Sequence, residues 1–286
     1  MNLDDITPLI LTFNEAPNIG DTLERLRWAK RVVVVDSFSS DATIEIAESF
    51  DNVTVVQRRF DDHVSQWKFG LGQIETVWVL TLDADYRCPP ALADEIRGLD
   101  GDCDAYVAAF TYCVDGKPLR GTLYPPRAVL FRPKRCRYVQ DGHTQRLIHD
   151  PRRTRELNTK LLHDDRKPLA DWLVAQTKYQ ELNVDKLLDT PWSQLGWSDR
   201  LRRWYVVIPV LTFFYCLFVK RLILDGRAGC YYTLQRVYAE MLMSLTLLDR
   251  RLRPATEARG ELIAKTAADV PHRPAAETYE LSHPGN

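Results

Sequence analysis

The sequence predicts an α/β protein: an open, mostly parallel sheet flanked by helices, followed by a helical, amphiphilic C-terminal region. Two observations carry this expectation. Over the first hundred residues, short β-branched runs alternate with helix-period segments, the order that produces parallel sheets. From Leu169 onward the strand pattern gives way to helical periodicity.

The elements follow in order. Thr7 to Phe13 is a short apolar run, and Pro17 to Ala29 reads as a helix with Pro17 in its first turn and Ile19, Leu23 and Leu26 on one face. Arg31 to Asp36 contains four consecutive valines without alternation, as expected of a parallel strand buried on both faces. Ser40 or Asp41 can cap the next helix, which turns Ile44 and Ala47 inward. Val53 to Gln57 is a third strand, Gln66 to Ile74 a helix, and Val77 to Leu82 a fourth strand. Beyond Pro89-Pro90 a helix to Leu99 leads to a strand over Ala105 to Cys113. Asp115 to Arg166, rich in Pro, Gly, Arg and His, suits loops over one end of the sheet, with a short strand at Ala128 to Phe131. Ala170 to Leu188 and Gly229 to Leu252 are helical, and the proline-bearing end reads as a poorly ordered tail. The expected division is 1–168 for the sheet domain, 169–253 for the helical region and 254–286 for the tail.

The 286 residues carry 38 Lys+Arg against 39 Asp+Glu, so no basic field marks the chain as a nucleic-acid binder. The balance is uneven, however. Asp199 to Arg253 holds ten Lys/Arg and four Asp/Glu, a local +6 that leaves −7 for the rest. Within this block Tyr205 to Val219 is the most apolar stretch. Its length falls short of the roughly 20 residues a spanning helix needs, and Pro209 interrupts it. Arg202, Arg203 and Trp204 precede it and Lys220-Arg221 follows, flanks that suit a segment lying on an anionic membrane surface. The alternative is a core helix of a soluble domain. The acidic Met1–Asp5 start predicts no export signal, and six cysteines without a CxxC pair suit a reducing compartment.

Ligands of open α/β sheets bind outside the carboxyl ends of the strands. Three polar features lie at such ends: Phe13-Asn14-Glu15, Asp36-Ser37 and Asp83-Ala84-Asp85. Hard carboxylates one residue apart after a buried strand suit Mg²⁺ or Mn²⁺ bridging a diphosphate, although as a bare pattern D-x-D also fits a solvated turn. Arg120, Arg127 and Arg132 surround Tyr124-Pro125-Pro126, and guanidinium forks of this kind recognise phosphate on an acceptor or a lipid head group. The plain alternative is a set of surface arginines.

The segments LTFNEAPNIGDTL, VVVVDSFSSDAT and WVLTLDADY resemble the nucleotide-sugar half of family 2 glycosyltransferases, which have a GT-A, Rossmann-type sheet. More narrowly, with YPPRAVLFR, GHTQRL, LLHDDRKPL and LILDGRAG, the chain resembles bacterial enzymes related to lipopolysaccharide-core β-glucosyltransferases, across residues 5 to 252. The resemblance implies that Asp36 contacts the uridine of a UDP-sugar, with Glu15 and the backbone at Phe13 beside it. Asp83 would bind the ribose or the metal. Asp85 would ligate Mn²⁺ or Mg²⁺, and His163 would complete that site. Where relatives have Asn, this chain has Lys68, which would serve the diphosphate or simply lie exposed. Inverting transfer needs one general base. The stretch around Asp141 departs from the subgroup's usual His-Glu pair. Asp141 is the first choice, with Asp164 and Asp165 as rivals and His143 as a ligand or acceptor contact. The implied partners are a nucleotide-sugar donor, a lipid-linked glycan acceptor and the cytoplasmic face of a cell membrane. Two other readings are a nucleotidyltransferase, which lacks its Gly-rich loop here, and a non-catalytic nucleotide-binding membrane scaffold.

Overall fold

The computed structural model describes residues 1–141 and 144–253. The expected tail and His143 lie outside the described residues. The chain runs β1 (Ile6–Thr12), α1 (Ile19–Glu24), β2 (Val32–Asp36), α2 (Thr43–Glu48), β3 (Val53–Gln57), α3 (His63–Leu71), β4 (Trp78–Asp83), β5 (Tyr86–Arg87) and α4 (Pro90–Gly98). It continues through β6 (Ala105–Ala108), β7 (Phe110–Val114), β8 (Lys117–Pro118), β9 (Arg127–Phe131), β10 (Arg137–Asp141), β11 (Thr144–Ile148), β12 (Thr154–Glu156) and β13 (Leu161–His163). The helices α5 (Leu169–Asp189), α6 (Trp197–Arg202), α7 (Val207–Phe214) and α8 (Arg227–Leu252) follow.

The main sheet has seven strands in the order β12-β6-β9-β4-β1-β2-β3. Its β4-β1-β2-β3 half is parallel, and β9 runs antiparallel to both β4 and β6. This is the expected α/β architecture. Val32 to Val35 are all fully buried, because α1 and α2 cover one face and α3 the other. Gly70 lets α3 lie close: a Cβ there would meet the Leu9 side chain at 2.8 Å.

Several expectations shift. The helix expected from Pro17 is shorter, and Leu26 and Ala29 instead close successive i→i−3 turns that still bury Leu26. The helix expected from Gln66 begins at His63, because Asp62 caps it by accepting from Ser65 N at 2.8 Å. The strand expected over Ala105 to Cys113 is two strands in different sheets. The chain breaks at Ala109, whose carbonyl accepts from Leu161 N at 3.0 Å, so β6 stays in the main sheet while β7 joins β5-β13-β7-β8. A run uniform in hydrophobicity gives no sign of such a change of partners.

The C-terminal helices pack back onto this second sheet. Tyr112, Leu119, Cys216, Leu222 and Tyr232 form one buried cluster, and α5 joins α8 through Val184, Leu187, Met243 and Leu247. The turn before α8 explains LILDGRAG physically. Gly226 has φ +61°, and a Cβ on Gly229 would fall 1.9 Å from the Leu222 carbonyl oxygen. After α7 the backbone continues as one π-helical stretch, Tyr215–Val219, closed by Lys220 N donating to Tyr215 O at 2.9 Å. Among the described residues no helix is long and apolar enough to cross a membrane.

Candidate active site

Strand register brings the three predicted features to one edge. Leu11 of β1 pairs with Asp83 and Thr12 with Asp36, so the ends of β2, β1 and β4 stand side by side. The chain leaves β4 at Asp83, turns through Ala84-Asp85 and returns as β5, which pairs antiparallel with β13 so that His163 lies opposite Tyr86. That pairing puts the His163 ring on the D-x-D turn: Nε2 stands 3.0 Å from Asp85 Oδ2.

The electrostatics follow from burial and crowding. Burial works against a charged imidazole, yet the Asp85 carboxylate beside it holds His163 above its ordinary value. Burial likewise opposes charge on Asp85, and His163 keeps it below the usual carboxylate range. Glu15 is pushed up to about 7, first by burial and then by Asp85, against the pull of Lys167. Asp165 is raised by burial and by Asp85. Such mutual repulsion among carboxylates marks a place that gains from a cation. Three aromatic rings enclose His163, with centroids 5.2 Å (Tyr86), 4.7 Å (Tyr112) and 4.5 Å (Tyr124) away. Burial, then the Asp83 charge, pushes the Tyr86 and Tyr124 phenols up, so both stay neutral and hydrogen-bond to one another.

Among the described residues no group of three His, Cys, Asp or Glu side chains converges into a metal site. Asp85 and His163 offer one hard oxygen and one imidazole. That pair suits Mn²⁺ at least as well as Mg²⁺ and leaves positions for diphosphate oxygens. His163 Nδ1 is buried with no hydrogen-bond partner. The residues therefore fit a divalent ion completed by a ligand, not a closed protein cage.

The other sequence candidates divide. Arg127 opens β9 with its guanidinium 5.1 Å over the Tyr124 ring, and it shares a cleft of about 350 Å³ with Asp83 and Asp141. Asp141 is ion-paired with Lys186 of α5 at 2.5 Å. Phe13 is exposed at the carboxyl end of β1. Asp36 is fully buried and caps the end of β2, accepting from Ser39 N at 2.9 Å and Gln57 Nε2 at 3.1 Å. Three further candidates take the plainer of the two readings left open for them. Lys68 points to solvent because α3 turns Gln66, Trp67 and Gly70 inward, and it lines neither cleft. Arg120 is committed to Asp225, donating from its backbone N at 2.9 Å and from Nε at 3.1 Å. Arg132 donates to the Gly101 and Cys103 carbonyls and lies over Trp78. The rival base Asp164 is buried against Arg87 at 2.6 Å and Arg166 at 2.9 Å, which makes it structural.

Sequence reasoning missed Lys167, Tyr86, Tyr124 and Phe38. Lys167 pairs with Glu15, bringing the segment after β13 onto the end of β1. Phe38, at φ +64°, exposes a second aromatic ring at the same edge as Phe13. Each lies within a motif already singled out, but an aromatic or a lysine has no spacing rule that separates site from core.

The description "Glycosyl transferase family 2" matches residues 9–164, the span from β1 to the end of the His163 strand. The chain belongs to this family. Membership sets aside the nucleotidyltransferase reading. An uncharacterized glycosyltransferase of Rickettsia bellii is 37% identical over 93 residues, 32% of this chain and 31% of that protein, so the match spans about a third of the relative's length. The lipopolysaccharide core biosynthesis glycosyltransferase LpsC of Rhizobium meliloti is 24% identical over 199 residues, 65% of this chain and 72% of LpsC. Among solved structures, S. aureus TarS with UDP-GlcNAc is 13% identical, covering 86% of this chain and 91% of that one, with a TM-score of 0.47. Glucosyl-3-phosphoglycerate synthase from Mycobacterium tuberculosis, in complex with Mn²⁺, UDP and phosphoglyceric acid, is 13% identical over 67% of this chain and 81% of that one, with a TM-score of 0.43.

Proposed function

We propose that the chain is an inverting, metal-assisted glycosyltransferase that moves a sugar from a UDP-sugar to a lipid-linked glycan at the cytoplasmic face of a membrane. The observation that carries the reading is the convergence of Asp83, Asp85, His163 and Arg127 at one sheet edge in a chain of glycosyl transferase family 2. The LpsC relative, named for lipopolysaccharide core biosynthesis, supports a glycan acceptor. In the reaction an acceptor hydroxyl oxygen attacks the anomeric carbon, and the bond to the diphosphate oxygen breaks with its electron pair. The hydroxyl proton passes to a carboxylate. Asp85 and His163 would hold Mn²⁺ or Mg²⁺, which neutralises charge on the departing diphosphate. Arg127 adds a fixed positive charge beside Asp83. Asp141, which shares the smaller cleft with Asp83 and Arg127 and pairs with Lys186 at 2.5 Å and Arg146 at 3.9 Å, is the base. A second reading gives this role to Asp165, whose raised proton affinity and place beside His163 favour it.

The membrane reading rests on side chains that no other described residue covers. Val206, Val210, Phe214, Phe218 and Leu224 are all exposed around α7 and the π-helical stretch, and α8 adds Leu234, Met241 and Leu245 along one stripe. Arg221 and Arg227 stand exposed beside this face. The test is nucleoside diphosphate release from UDP-sugars with Mn²⁺ or Mg²⁺. Asp85→Ala is expected to lower turnover by about 10²-fold or more, and undiminished activity would sink the role of Asp85. No release by the unaltered chain with any donor would leave the scaffold reading in its place. Asp141→Asn and Asp165→Asn decide between the bases: the true one loses transfer while donor affinity holds.

A further inference from the structure

A second, larger cleft of about 1020 Å³ opens from His163 and Asp165 and runs between α5 and α8. Ligand sites typically occupy about 300–1,000 Å³, so this one exceeds what a single sugar hydroxyl needs for access. Its α5 wall is a ladder of amides on one helix face, Gln176, Gln180 and Asn183. Gln180 Nε2 donates to Gln176 Oε1 at 3.3 Å, and Asn183 Nδ2 donates to Gln180 Oε1 at 3.3 Å. Gln176 and Gln180 are buried, an unusual place for glutamine on a helix. Each amide has two donor hydrogens and two acceptor lone pairs, so the ladder orients the two glutamines without exhausting them. One turn before Gln176, Trp172 lines the same cleft. Two arginines face it across the gap. Arg202 is neutralised by Glu240 at 2.7 Å and Asp199 at 2.7 Å. Arg236 of α8 makes no ion pair among the described residues; its guanidinium lies 5.4 Å from the Tyr232 ring centroid and its Nε is buried without a partner.

We propose that this cleft is the acceptor subsite, and that it takes a saccharide bearing an anionic group, phosphate or carboxylate. The inference rests on the glycosyltransferase reading and deepens it. An indole covers the C–H face of a pyranose, a row of oriented amides exchanges hydrogen bonds with its hydroxyls, and an uncompensated guanidinium takes the anion. The cleft ends at His163 and Asp165, so a saccharide lying along α5 delivers one hydroxyl to the sheet edge where the donor sits.

The probe is the oligosaccharide freed by mild acid from envelopes of cells lacking the gene, which carries the unextended acceptor. Its binding to the purified full chain is measured by calorimetry, without donor. Trp172→Ala and Arg236→Gln should each weaken binding about tenfold, a loss of about 1.4 kcal/mol, while UDP-sugar affinity stays unchanged. Trp172→Phe and Arg236→Lys should recover most of the loss, and Glu181→Gln, on the solvent face of α5, should bind like the unaltered chain. Phosphatase-treated and carboxyl-reduced probes separate the two anions: the treatment that abolishes the Arg236 dependence names the group, and dependence surviving both removes the anion from the proposal. If neither Trp172→Ala nor Arg236→Gln changes affinity, or the unaltered chain does not bind the probe, the subsite is overturned. Because binding is read without turnover, a chain that binds the probe but releases no nucleoside diphosphate would sink the enzymatic reading and, with it, the acceptor role, leaving the cleft as a saccharide-binding site.

Discussion

Strand β2 and helix α7 are about equally apolar, VVVVD against VIPVLTFF, and they end in opposite environments. Val32 to Val35 are each 0% exposed, whereas Val206, just before α7, is 71% exposed and Phe214 is 53% exposed. The difference lies in what each element has beside it. β2 has a strand on either side and helices above and below, so every side chain meets another. Among the described residues α7 packs against α8 and α6, while Val210 and Phe214 on its outer face stay exposed. Hydrophobicity alone reports that a segment avoids water; partners decide whether protein or something else covers it.

The sharpest way to break this comparison is to put the same charge in both places. Val34→Asp places a carboxylate in the apolar layer between β2 and the helices α1 and α2, among Ile19, Leu23 and Ala47, and should cost about 5 kcal/mol or more, enough to unfold most domains. Chemical denaturation monitored by circular dichroism reads it directly. A Val34→Asp chain that melts like the parent would mean that the sheet interior admits water.

A second contrast concerns neighbouring carboxylates after β13. Asp164 has a side chain 0% exposed and is held by Arg87, Arg166 and the Gly116 amide at 3.1 Å, while Asp165 faces the larger cleft. Removing one partner of a buried ion pair leaves the other charge uncompensated, so Asp164→Ala should cost about 3–5 kcal/mol. Asp165→Asn, in contrast, should leave stability within about 1 kcal/mol. Urea midpoints of the two variants check both values, and equal losses would mean that Asp165 is as structural as its neighbour.

This pair also shows how far the sequence could be read. The convergence of Asp36, Asp83 and Asp85 followed from strand order alone, because parallel strands share a carboxyl edge, and Val53–Gln57 was located to the residue. The role of Asp164 was not legible, since its partner Arg87 lies 77 residues away and only the β5–β13 pairing joins them. The choice between the two readings of Lys68 was open for a different reason. A helix exposes one face and buries another, and a short helix with Gln66 and Trp67 both turned inward gives no clear period. The split of Ala105 to Cys113 between two sheets depended on partners that come later in the chain. Local pattern located the site; long-range pairing decided which residues entered it.

The gentlest contrast returns to α7. Phe214→Asp with Phe218→Asp adds two charges to a face left exposed among the described residues, so unfolding stability should change by no more than about 0.5 kcal/mol per site. Binding to vesicles containing anionic lipid should respond differently. Each phenylalanine buried in an interface contributes about 1.5–3 kcal/mol, so the double variant should partition at least tenfold less in sedimentation assays. Turnover of a soluble acceptor fragment should persist, since neither side chain lines a cleft. If partition holds while stability falls, the face is packed against protein in solution and belongs with β2 after all. If partition falls and stability holds, two segments of similar hydropathy have been separated by what covers them.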